Sequence, residues 1–74
     1  MKFEPLPPVI SGLRTWGCRV DGKTFVVSYD SNHPDMKYRA SWSLIGQHPQ
    51  FLGRSFETRE QAVRALQDMH GVVK

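Results

Sequence analysis

The chain of 74 residues predicts an α+β fold: a three- to four-stranded antiparallel sheet with one C-terminal helix packed on one face. Three features carry that expectation. Apolar residues alternate with period two up to about residue 51, Asp21-Gly22 offers a two-residue turn, and a capped, helix-periodic stretch closes the sequence. Strands first and a single helix last is the order of an α+β domain.

The elements follow in sequence. Residues 1–12 read as an extended arm, because Pro5, Pro7 and Pro8 disfavour helix and sheet interiors. Val9 and Ile10 would anchor its end, and Ser11-Gly12 breaks it from a single domain over 13–74. Leu13 to Asp30 form a hairpin, since Gly tolerates the positive φ that the favoured turn at Asp21-Gly22 demands. Closing that turn sets Cys18 against Phe25 and Trp16 against Val27 on one face. Arg19 with Thr24, and Thr15 with Ser28, fall on the other. Ser31 to Asp35 is a loop, Lys37 to Ile45 a third strand, Gly46 to Pro49 a turn, and Phe51 to Phe56 a short fourth strand. Thr58 is an N-cap residue, with Gln61 placed to complete a capping box. Ala62, Val63, Leu66 and Met69 then recur at helical spacing, so one stripe must cover the sheet. Gly71 is expected just past the helix end.

Size and composition narrow the function classes. A chain this short buries roughly 60% of the surface it exposes when unfolded, so aromatic residues must supply much of the core. Little volume remains for an internal cofactor cavity. The net charge is +3 and the pI about 9.4, modestly basic. A lone cysteine, Cys18, excludes an internal disulfide. No apolar run approaches the roughly 20 residues of a membrane span, and no signal-peptide pattern opens the sequence. A soluble, cytoplasmic protein is the expectation.

Alternation divides the sheet into an aromatic face, covered by the helix, and an open polar one. The open face collects Arg19, Thr24, Ser28, Lys37, Arg39, Ser41 and Ser43, with Lys23 beside it at the turn. No acid stands among these residues. Cations at such positions also serve simply as solvated strand residues that discourage edge pairing.

Lys37-Tyr38-Arg39-Ala40-Ser41-Trp42, then Phe51-Leu52-Gly53, then Phe56-Glu57-Thr58 with Glu60, Ala62 and Ala65, resemble the AP2 family of DNA-binding domains. The same residues resemble the three-stranded arm-binding domains of tyrosine integrases. That resemblance implies an open sheet face docked in the major groove, with the helix behind it. By position it implies Lys37, Arg39, Ser41 and Ser43 at the groove and Phe51 near a backbone or base edge. Three departures stand out. Thr24 to Tyr29 carries no cation where the family is arginine-rich, one extra residue lies between Gly53 and Phe56, and Leu13 to Val20 has no counterpart.

Other constellations are absent. His33, His48 and His70 are scattered, and no Cys/His/Asp/Glu spacing fits a metal site, so surface histidines are expected. Cys18 opposite Phe25 reads as a buried inert thiol. Asp30, Asp35 and Glu57 form no carboxylate pair, and Gly12, Gly17 and Gly22 make no phosphate loop. Arg54, Arg59 and Arg64 are expected as solvent cations pairing with Glu57 and Glu60, and Phe51 and Trp16 as core residues. The expectation is a non-enzymatic protein, without cofactor or metal, that binds double-stranded DNA through Arg19, Lys23, Lys37, Arg39, Ser41, Ser43 and Phe51. The alternative is an inhibitor or accessory factor of phage or mobile-element type, presenting the sheet face or edge to an acidic protein surface.

Overall fold

The computed structural model describes residues 2–7 and 11–72, with side chains to residue 70. Five strands form one antiparallel sheet in sequence order: β1 (Glu4–Pro5), β2 (Leu13–Val20), β3 (Lys23–Asp30), β4 (Tyr38–Leu44) and β5 (Gln50–Phe56). A 3₁₀ turn (Pro34–Met36) precedes β4, and α1 (Arg59–Val72) closes the described chain. The fold is α+β, with one strand more than the upper expectation.

The additional strand comes from the proline arm. Glu4 pairs with Gly17 and Pro5 with Trp16, and the Leu6 amide donates to the Thr15 carbonyl at 2.9 Å. Proline is tolerated there because an edge strand leaves half its amides facing solvent. The expected anchoring by Val9 and Ile10 lies outside the described residues.

The β2–β3 hairpin has the register its turn dictates, with Trp16 opposite Val27 and Cys18 opposite Phe25. Asp21 and Gly22 both have positive φ, 52° and 77°, as a tight hairpin turn with right-handed twist requires. On β3 the residues Phe25 and Val27 are buried, and Ala40 of β4 lies opposite Val27. With Phe56, Ala62 and Leu66 they form the core between sheet and helix. Burying a side chain such as Leu66 or Phe25 stabilises by about 1.5–3 kcal/mol.

The helix starts where expected. The Gln61 amide donates to Thr58 Oγ1 at 3.2 Å, and Gln61 Oε1 accepts from the Glu57 amide at 3.1 Å. The side chain thus reaches one residue further back than the ordinary capping box. The helix runs on to Val72, so Gly71 lies within it rather than past its end. The pairing of β4 with β5 is interrupted by a bulge. Arg39 pairs with Ser55 but Ser41 pairs with Phe51, so β5 carries two residues in excess over β4 around Leu52–Arg54. An even excess keeps the side-chain alternation in phase on both sides of it.

Candidate functional site

Pairing across all five strands lays out the open face in rows. One row reads Phe51, Ser41, Val26, Gly17 and Glu4, from β5 to β1. The next contains Ser55, Arg39, Ser28 and Thr15, and a third Ser43, Thr24 and Arg19. Leu6 lies on the same side: a Cβ added to Gly17 would meet its Cδ1 at 2.9 Å. The floor is therefore small and hydroxyl-rich, rimmed by Phe51 and Arg39 at one side and by Leu6 and Arg19 at the other.

Phe51 and Arg39 form the distinctive element of this face. The Arg39 guanidinium carbon lies 4.6 Å from the Phe51 ring centre, a cation–π stack. Phe51 remains 52% exposed, whereas Ser41 beside it is 5% exposed. Such a contact contributes about 0.5–1 kcal/mol at an exposed site and biases the guanidinium toward the ring. Phe51 is thus a surface ring, not the core residue expected, because the phase of β5 turns it to the side without a helix.

Of the residues expected on this face, Arg19, Arg39, Ser41, Ser43 and Phe51 share it. Lys23, expected beside it at the turn, does not, and Lys37 lies outside β4. Lys23 pairs with Val20 and Leu44 in phase with Phe25, on the helix side. Lys37 caps the 3₁₀ turn at φ 57° and precedes β4, and its Nζ is ion-paired with Glu57 instead. Two acids outside the residues expected there also share the open face: Glu4 opposite Gly17, and Asp30 opposite Leu13. Asp30 accepts from the Asn32 amide at 2.9 Å and lies 3.0 Å from His33 Nδ1. The His33 contact, followed by the Asn32 amide, holds its carboxyl below the ordinary 3.8. Ser55 was legible from the alternation of β5; Leu6 had no signal, because nothing in the arm announced a strand.

The helix side carries a second cluster. Trp16 lies 6.2 Å from Tyr38 between ring centres, Tyr38 lies 4.8 Å from Tyr29, and Arg59 stacks on Trp16 at 5.0 Å. Clefts on both sides of the Arg59–Trp16 stack are lined by Phe3 and Val63 on one side and by Arg14 and Tyr29 on the other. Arg54 stacks on Phe56 at 5.0 Å, so two of the three expected solvent cations rest on aromatic rings.

His33 and His48 are exposed, but His70 is half-buried against Phe25 and its buried Nδ1 has no hydrogen-bond partner among the described residues. Cys18 is a free thiol, half-buried on the helix side rather than fully buried. Among the described residues no group of three His, Cys, Asp or Glu side chains is placed to hold a metal ion. No helix there is long and apolar enough to cross a membrane. No protein-family model matches the chain, and comparison with curated proteins and with solved structures gives no significant match.

Proposed function

We propose that this chain is a small, non-enzymatic nucleic-acid-binding protein that uses the open face of its sheet. The observation that carries the reading is the exposed Phe51–Arg39 stack on a floor of serines and threonines, left uncovered by the helix. Arginine forks to phosphate or to a base edge, hydroxyls donate or accept at either, and an exposed aromatic ring stacks on bases. The AP2-like residues 37–65 support the same assignment, less strongly because Lys23 lies on the helix side and Lys37 is paired with Glu57. The test is fluorescence anisotropy of labelled oligonucleotides, single-stranded and duplex, across a salt series with wild-type protein and Arg39→Glu. Binding that weakens with salt and falls at least about tenfold in Arg39→Glu is expected, since the change replaces an attractive charge with a repulsive one. Unaltered affinity in that variant would refute this face as the site.

A protein partner is the second reading, favoured by one observation. Leu44 and Ile45, at the β4–β5 turn, are 38% and 71% exposed beside the unpaired edge of β5. An acidic protein or an extended segment docking there would be lost on Ile45→Glu and unaffected by Arg39→Glu.

A further inference from the structure

We infer that the nucleic acid held on this face is single-stranded, laid across the floor between the Phe51–Arg39 and Leu6–Arg19 rims, rather than duplex DNA taken into the major groove. The inference rests on the proposed function and specifies its ligand. Width decides first. Neighbouring strands lie about 4.8 Å apart, so the outer backbones of five strands are separated by about 19 Å, and those of the four long strands β2–β5 by about 14 Å. The major groove of B-form DNA is about 12 Å wide and admits a helix or a two-stranded ribbon. The four long strands already exceed that width, and the proline arm, by pairing with β2, widens the face further. Only a corner of it would enter.

Charge decides in the same direction. Duplex affinity comes largely from neutralised phosphates. Within the five strands Arg19 and Arg39 are the cations in phase on the open face, and Glu4 and Asp30 share it. That balance is a poor source of duplex affinity. Single strands, by contrast, gain affinity from base stacking on aromatic rings and guanidinium planes. Phe51 offers a ring 52% exposed, with Arg39 stacked upon it at 4.6 Å. The accessible hydroxyls of the floor, those of Thr15, Thr24, Ser28, Ser43 and Ser55 but not the buried Ser41, suit the sugar–phosphate backbone and unpaired base edges.

The experiment measures wild-type, Phe51→Ala and Arg39→Ala protein against oligo(dT), oligo(rU) and a mixed-sequence hairpin duplex at fixed low salt. Circular dichroism melts check that both variants fold, which exposed positions permit. Single strands are expected to bind at least about tenfold tighter than duplex, and Phe51→Ala to weaken them by about tenfold, the scale of one lost stack. Oligo(rU) and oligo(dT) differ in both the 2′-hydroxyl and the 5-methyl group, so a preference between them separates RNA-like from DNA-like strands, and either supports the inference. Duplex binding equal to or tighter than single-strand binding, or a silent Phe51→Ala in a folded protein, overturns it while leaving nucleic-acid binding intact. Absence of binding to all three probes refutes the proposed function itself.

Discussion

His70→Phe is expected to stabilise this protein. His70 packs edge-on against Phe25, with ring centres 5.5 Å apart and planes at 81°. Its Nδ1 is buried and has no hydrogen-bond partner among the described residues. Leaving a buried polar group unpaired costs about 1–3 kcal/mol. Phenylalanine keeps the ring and its edge-to-face contact, worth about 0.5–1.5 kcal/mol, while removing the stranded nitrogen. Helix propensities of His and Phe are nearly equal, so the backbone contributes no large difference. The slightly larger ring offsets part of the gain, leaving about 1 kcal/mol. For a domain of this size that raises Tm by about 4–8 °C. Thermal unfolding followed by circular dichroism reads the shift directly, with His70→Leu as a control for ring size. If both variants melt at or below the wild-type temperature, the nitrogen is not stranded and the reasoning fails.

Leu66→Ala acts in the opposite direction. Leu66 is fully buried in the core between sheet and helix, and its truncation is expected to cost about 3–5 kcal/mol in transfer and cavity terms. That is a large part of the roughly 4–11 kcal/mol total for a domain this size, so urea denaturation should show a much lower midpoint or no folded baseline. Acid dependence is expected from Asp30, whose folded carboxyl titrates below its ordinary 3.8 through the His33 and Asn32 contacts. A depressed folded pKa stabilises above the unfolded value and loses that contribution as pH falls through the folded one. The urea midpoint difference between wild type and Asp30→Asn should therefore shrink as pH falls below about 4, the ordinary carboxylate range. A difference that stays constant through that range would show that the His33 contact is not formed in solution.

Local sterics and hydrogen bonding made part of this structure readable without coordinates. A positive-φ turn at Asp21-Gly22 fixes the β2–β3 register, because one residue of slip would reverse the faces of both strands. Thr58 and Gln61 define the helix start, since their side chains satisfy amides within a few residues. Alternation likewise places Arg39, Ser41 and Ser43 on one side of β4, opposite Ser28, Val26 and Thr24.

What the sequence by itself determined was the order of elements, the hairpin register and the side of β4 that Arg39, Ser41 and Ser43 occupy. The tertiary structure alone decided which strands adjoin and what each exposed residue meets. It paired the proline arm with β2, drew Lys37 out of β4 to Glu57, turned Phe51 to the uncovered side, and brought Arg39 over its ring. The physical reason is range: alternation and capping are settled between near neighbours in the chain. The width of the sheet and the charges sharing its face depend on contacts between distant segments, which period and propensity do not encode.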